Sequence, residues 1–216
     1  QELHQRLEVT AESLVSITET TPPATLLSPP WEQVVTLFSD PVSPTVAEPY
    51  QFCFDSPCVP VMRELADYAG QSFVAGRSLL DGVSDLNRRI HADFTYDPVA
   101  TTVATPLAEV LAHRRGVCQD FAHVLIGLCR AVKIPACYVS GYLATESASA
   151  THAWVEVLIP GIGWRALDPT HNCQPGETYV KIAVGRDYAD VAPVSGHYVG
   201  NTERSLNVSD QIRPAE

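Results

Sequence analysis

A cysteine, a histidine and an aspartate stand at the ends of predicted helices and strands, where catalytic side chains are often found. Cys118 follows Gly116 in the stretch RRGVCQDFAH and begins an apolar, helix-like run. An ordinary thiol has a pKa of about 8.5, and the partial positive charge of a helix N-terminus stabilises the thiolate. The backbone N–H of Cys118 could also donate to an oxyanion. This position predicts a nucleophilic thiol, with a small buried residue as the plainer alternative.

The other two candidates lie on neighbouring strands of a predicted hairpin. His152 opens the alternating stretch THAWVEV, and Asp168 ends the next strand in WRALDPT. The turn PGIG centres the hairpin on Gly161 and Ile162, so paired residue numbers should sum to about 322 or 323. That register puts Asp168 opposite a residue near Val155, within a few positions of His152. The pattern predicts a carboxylate that orients an imidazole, and an imidazole that takes the thiol proton, although register alone does not force the contact.

The elements that would hold these side chains change from helical to extended along the chain. The stretch CQDFAHVLIGLCRAVKIP has apolar residues at helical spacing and ends at a proline. The following stretches are short and rich in β-branched and aromatic residues: ACYVSGYLA, HAWVEVLIP, GWRALDP, TYVKIAVGRDY and HYVGNTERSLNVSDQI. Helices therefore precede antiparallel strands, which predicts an α+β fold.

The first thirty residues have a different character. The stretch RLEVTAESLVSITET alternates, which predicts one or two strands, and its polar start is unlike a signal peptide. Four prolines between positions 22 and 30 indicate a linker. We therefore expect residues 1–30 to hold remnant strands of an N-terminal β region and a proline-rich linker. Residues 31–216 are expected to form the catalytic core.

Composition and charge exclude several classes of protein. The chain has 216 residues, of which 45% are hydrophobic and 18% charged, as in a globular domain. Its net charge of −11 disfavours a nucleic-acid partner, and it has no apolar run long enough to span a membrane. Its six cysteines are irregularly spaced and form no C-x-x-C motif, which argues against a disulfide scaffold or a zinc ribbon. A cytoplasmic protein with small-molecule or peptide substrates is predicted.

Three stretches resemble the signature blocks of the transglutaminase-like superfamily, most closely its bacterial branch of transglutaminase-like cysteine peptidases: GVCQDFAHVLIGLCRAVKIPACYVSGYL, THAWVEV and GWRALDPTHN. The later stretch KIAVGRDYADVAPVSGHYVG is also similar, so the resemblance covers about residues 60 to 200. It implies a papain-like core, with a central helix packed on an antiparallel sheet. It also implies that Cys118 is the nucleophile, His152 the base and Asp168 the orienting acid. Residues 1 to about 21 would then be the end of a β-rich N-terminal region.

The resemblance leaves the fate of the acyl-enzyme open. A thioester formed from an amide is resolved by water in a peptidase or amidase, and by an amine in a transglutaminase. Crosslinking needs a site that excludes water, which nothing in the sequence indicates, and the acidic residues that a calcium-dependent enzyme would need are dispersed. We therefore predict hydrolysis of a peptide or protein amide, with no cofactor and no metal. Amine transfer is the alternative, and a catalytically silent binding module is disfavoured because all three candidates are present.

Four further residues are candidates for contacting substrate: Gln119, Tyr96, Tyr142 and Trp154. For Gln119 and Asp120, which follow the nucleophile directly, a structural role at the helix start is favoured over a chemical one, because an acid is stabilised at a helix N-terminus. Trp154 is also suited to packing within the sheet. His171, just after DPT, is either a surface residue or a contact at the rim of the site.

Overall fold

Helices form the first half of the fold and most of the strands the second half, as the change of sequence period predicts. The computed structural model describes residues 8–17, 28–39, 44–144 and 149–193. The helices of the first half are α1 (Trp31–Ser39), α2 (Pro44–Tyr50), a 3₁₀ turn (Gln51–Cys53), α3 (Arg63–Ala69), α4 (Leu79–Asp93), α5 (Leu107–His113) and α6 (Cys118–Ala131). No helix in these described ranges is long and apolar enough to cross a membrane.

The main sheet has four antiparallel strands in the order β5-β4-β3-β6. Its strands are β3 (Ala136–Ala144), β4 (Ser149–Ile159), β5 (Gly163–Leu167) and β6 (Tyr179–Gly185), and a short helix, α7 (Tyr188–Val191), follows them. Two shorter strands, β1 (Thr95–Tyr96) and β2 (Arg115–Gly116), pair in parallel just before α6. The predicted strands in residues 136–185 are confirmed, whereas HYVGNTERSLNVSDQI lies outside the described residues. The α+β fold is confirmed.

Helix α6 is the centre of the core. Eleven consecutive residues, Asp120 to Arg130, are buried, so the helix is covered on all sides. It contacts α3, α4 and α5 on one side and strands β3 and β4 on the other. Gly127 permits the close approach of two of these helices, since a Cβ there would lie 3.0 Å from Leu65 and 3.4 Å from Leu107. A central helix packed on an antiparallel sheet is therefore present, as predicted.

Strand β4 divides its side chains between the two faces of the sheet. Its core residues alternate along the strand and pack with α6 in one apolar cluster: Ala153, Val155, Val157 and Ile159. His152 and Trp154 have the opposite parity and lie outside that cluster. His152 does not open the strand as predicted, because pairing with β3 continues β4 back to Ser149. The histidine is instead held inside the strand, opposite Gly141.

The expected N-terminal strands are not formed by residues 8–17, which are exposed and have no regular secondary structure. Alternation produces a strand only where a neighbouring strand supplies hydrogen bonds, and no strand of the described chain pairs with this segment. Residues 1–7 and 18–27, including much of the predicted linker, lie outside the described residues. A division of the chain near residue 30 stays a prediction.

Candidate active site

Cys118 is the first residue of α6 and is partly exposed. The preceding residue, Val117, is extended, so the chain enters the helix at the cysteine. The Asp120 carboxylate reaches back to accept the Val117 N–H at 2.8 Å and also accepts the Thr101 hydroxyl at 2.6 Å. Burial raises the pKa of Asp120 despite these two hydrogen bonds, which lower it. The contacts confirm the structural role predicted for Asp120, because they fix the start of the helix.

Gly116 makes room for this arrangement. A Cβ at Gly116 would overlap the Asp120 carboxylate and would lie 2.8 Å from the Asp120 Cβ. We expect Gly116→Ala to push the carboxylate off the Val117 N–H and to lower the free energy of unfolding by about 1–2 kcal/mol, the cost of losing a helix N-cap. Urea denaturation measures this change. Gly176→Ala is the matched control, because no atom lies within 4 Å of the added methyl, and an equal loss in both variants would contradict the prediction.

His152 and Asp168 form a buried pair. The His152 Nε2 lies 2.7 Å from the Asp168 Oδ2, and the two side chains are 7% and 0% exposed. Val155 pairs with Leu167, so the numbers of paired residues in this hairpin sum to 322. The predicted register is therefore confirmed, and Asp168 directly follows the last paired residue of β5.

The cysteine completes this cluster from the helix side. Burial lowers the pKa of His152, but hydrogen bonds with Asp168 and with Cys118, and the negative charge of both partners, outweigh it and raise that pKa to about 9. Since Nε2 faces Asp168, the nitrogen left for the thiol is Nδ1. His152 and Asp168 are thus in direct contact, and Cys118 is near enough to raise the pKa of His152.

Asp168 accepts five hydrogen bonds. Its Oδ2 accepts from His152 Nε2, His171 Nδ1 and the Tyr179 hydroxyl, each at 2.7 Å. Its Oδ1 accepts the backbone N–H groups of Thr170 at 2.8 Å and His171 at 3.2 Å. Burial raises the pKa of Asp168, but these hydrogen bonds and the charge of His152 outweigh it and hold that pKa well below its usual range. The carboxylate is therefore ionised and fixed in orientation.

Two of these partners were not assigned to the site from the sequence. The sequence does not decide whether His171 is a surface residue or a rim contact, and in the structure it is half-exposed and bonded to Asp168. The aspartate of DPT is a common turn former, which is the signal that the next few residues bond its side chain. Tyr179 comes from β6, and no local pattern relates it to Asp168. Its ring lies 5.8 Å from the His152 ring, so it contacts the pair from the edge strand β6.

Trp154 packs beneath the site. It is 2% exposed, with its ring 5.4 Å from Tyr179 and 6.3 Å from His152. The indole lies over Gly141, where a Cβ would be only 2.6 Å from it. The accessible part of the Trp154 side chain lines a cavity of 240 Å³, together with Tyr179 and Trp164. The structure favours packing over the predicted substrate contact, because so little of the side chain is accessible.

The other candidates for substrate contact lie around the thiol and on β3. Tyr96 is 54% exposed on β1, and burial and the charge of nearby Cys118 raise its pKa. Gln119 is partly exposed, with its Nε2 3.5 Å from the Val103 carbonyl. Tyr142 is partly exposed on β3, one residue beyond the partner of His152. Their roles in substrate binding stay predictions.

One group within the described residues has the spacing that a metal ion would need. The ligating atoms of His152, Asp168 and His171 lie within 4.8 Å of one another. These atoms hydrogen-bond directly, which accounts for the cluster without an ion. The expectation that the site uses neither metal nor cofactor stays a prediction.

Similarity to known proteins agrees with this geometry. The chain is 36% identical over its whole length to an uncharacterized protein of Mycobacterium tuberculosis, of which it covers 72%. It is 32% identical to a protein-glutamine gamma-glutamyltransferase of Pseudomonas aeruginosa, over 54% of this chain and 19% of that protein. Its fold resembles the crystal structure of a provisionally assigned cysteine protease from Cytophaga hutchinsonii, with a TM-score of 0.62 and 33% identity. That match covers 69% of this chain and 52% of the solved one.

The family assignment follows from a segment that contains Cys118, His152 and Asp168. The model of the transglutaminase-like superfamily matches residues 67–169. This range spans the helix start at Cys118, strand β4 with His152, and strand β5 with Asp168 directly after it. The chain belongs to the transglutaminase-like superfamily.

Proposed function

We propose that this protein is a cysteine-dependent acyl-transfer enzyme that hydrolyses peptide or amide bonds through a thioester on Cys118. The observation that carries the proposal is the buried 2.7 Å contact between His152 and Asp168, with Cys118 at the start of α6 as the next group that raises the pKa of the imidazole. A protonated imidazole beside a thiol at a helix N-terminus stabilises the thiolate. The carboxylate fixes the ring so that Nδ1 faces the sulfur.

In the proposed reaction, the Cys118 thiolate attacks the amide carbonyl carbon and forms a C–S bond, while the carbonyl oxygen takes up the negative charge. The N–H of Cys118 has no partner within its helix, so it is free to donate to that oxyanion. As the C–N bond breaks, His152 gives its proton to the leaving amine. A water molecule then loses a proton to His152 and attacks the thioester. The acid is released and the thiolate is restored beside the protonated imidazole.

Two observations favour water over an amine as the second substrate. The site is open to solvent, since His171 is 47% exposed and Tyr96 is 54% exposed, whereas transfer to an amine needs water to be excluded. The similar protein from Cytophaga hutchinsonii is provisionally assigned as a cysteine protease. Amine transfer is the second candidate, supported by the likeness to the Pseudomonas aeruginosa gamma-glutamyltransferase.

Incubation with glutamine- and amide-containing peptides, with and without a lysine-like amine, tests both reactions. Mass spectrometry should show the free acid as the main product in either condition, and Cys118→Ala should form none. A dominant amine adduct would show that the enzyme transfers the acyl group to an amine and not to water. If the parent forms no product, and iodoacetamide at pH 6 modifies Cys118 no faster than an exposed thiol, the protein is not a thiol enzyme.

We also propose a reducing compartment, the cytoplasm, as the site of this activity. All six cysteines are free, and four of them pack in the apolar core or against it: Cys53, Cys58, Cys118 and Cys129. Cytoplasmic proteins seldom carry disulfides, so six free thiols fit that environment. Fractionation of the native host that recovers the protein outside the cytoplasm would contradict this location.

A further inference from the structure

His171 is a second imidazole on the carboxylate that orients His152. We propose that His171 is a positioning residue: by bonding the same oxygen of Asp168, it divides the negative charge of that carboxylate between two imidazoles. It thereby sets the pH range over which His152 keeps its proton. The effect on reaction rate rests on the proposed function, whereas the division of charge does not.

The geometry makes the two rings share one acceptor atom. Both His152 Nε2 and His171 Nδ1 lie 2.7 Å from Oδ2 of Asp168, and the ring centroids are 5.0 Å apart. An ionised carboxylate only accepts hydrogen bonds, so His171 must carry a hydrogen on Nδ1. Each ring therefore weakens the attraction of the carboxylate for the other, and a charge on both rings adds a direct repulsion.

Burial separates the roles of the two rings. The side chain of His171 is 47% exposed and that of His152 is 7% exposed, so His171 is the ring in open contact with solvent. Asp168 is fully buried, so water does not replace a hydrogen bond that its carboxylate loses. A change in the hydrogen bond from His171 therefore changes the attraction of the Asp168 carboxylate for His152.

The other side chains around the pair are a tyrosine and two cysteines, so His152 and His171 are the two imidazoles that bond Asp168. Tyr179, from β6, donates to Asp168, and burial raises the pKa of its hydroxyl far above neutral. The Cys173 thiol bonds that hydroxyl at 3.3 Å and reaches Asp168 only through it. Cys118, the first residue of α6, also acts on His152 and raises its pKa.

The turn that carries His171 is also held by side chains that do not themselves contact Asp168, which supplies a control. His91 on α4 donates from Nδ1 to the Thr170 carbonyl at 2.9 Å, and Asn87 donates to Asn172 at 3.3 Å. His91 thus holds the same turn without touching the carboxylate. A change at His91 alters the support of the turn, whereas a change at His171 alters the charge on Asp168.

The test is an NMR titration of His152 in the full chain labelled with ¹⁵N-histidine. His171→Phe keeps a ring but no donor, so Asp168 serves one imidazole and the midpoint of His152 protonation should rise by about half a pH unit or more. His171→Asn keeps an N–H near the Nδ1 position but no titratable ring, and its midpoint should lie between parent and His171→Phe. His91→Phe should leave the midpoint unchanged.

An unchanged midpoint in His171→Phe would overturn the inference, and so would an equal rise in His91→Phe, which would assign the effect to the placement of the turn. If His171→Phe does not fold, His171→Asn decides alone, since its midpoint must still exceed that of the parent. The titration needs no substrate. If the midpoint shifts but the protein hydrolyses no peptide, the proposed function is rejected. The inference that His171 and His152 share the charge of Asp168 would still stand.

Discussion

Replacement of Asp168 by asparagine should lower kcat/KM for the proposed hydrolysis by roughly 10³-fold. Five donors converge on this carboxylate, three on Oδ2 and two on Oδ1. An amide has only one oxygen, so in either orientation its NH₂ group faces donors instead of acceptors. Either the new asparagine side chain rotates away or some of the five donors lose their acceptor. Both outcomes release the His152 ring.

The loss of charge has a second effect on the imidazole. Hydrogen bonding and the negative charge of Asp168 help to raise the pKa of His152 to about 9, against a burial effect that lowers it. Without that charge, burial favours the neutral ring at neutral pH, and the thiolate loses its cationic partner. Asp190→Asn is the matched control, because it breaks a surface ion pair with Arg186. Peptide hydrolysis by Asp168→Asn at the rate of this control would contradict the orienting role.

The parts of the site that follow from local chain chemistry could be predicted from the sequence. The start of α6 at Cys118 depends on the residues just before it and on the apolar period after it. The register of β4 and β5 depends on one short turn, which is why it could be read from PGIG. The register places the imidazole and the carboxylate within a few residues of each other across the hairpin, and the packing of α6 on β4 is a separate, long-range contact.

The contact between Asp168 and Tyr179 could not be predicted, because the two residues come from strands that do not pair with each other. Tyr179 lies on β6, which pairs with β3 across the sheet from β5. Gly141 on β3 leaves space that the Trp154 indole fills, and the Trp154 ring lies 5.4 Å from the Tyr179 ring. The sequence shows Gly141 and both aromatic residues, but only the strand order brings them together. The same lack of pairing information made residues 8–17 resemble a strand.

The far end of α6 carries the largest expected effect on stability: Arg130→Met should lower the free energy of unfolding by about 3–5 kcal/mol. The guanidinium is fully buried, and burial lowers the pKa of Arg130 to about 10 even though Asp187 raises it, so the group stays charged at neutral pH. It donates to four oxygens at 2.6–3.0 Å, those of Phe52, Ser56, Ala136 and Arg186.

Methionine matches the volume of Arg130 but donates nothing, so these four acceptors would lose their partner and the fully buried Asp187 would lose its neighbouring cation. Urea denaturation followed by circular dichroism measures the change. Arg63→Met is the matched helix control, since Arg63 is 90% exposed in an i,i+4 pair with Asp67 and should contribute almost nothing. Equal stability of the two variants would show that the buried charge contributes no more than a surface one. A selective loss in Arg130→Met would instead show that this one side chain ties α6 to the 3₁₀ turn, to β3 and to the end of β6.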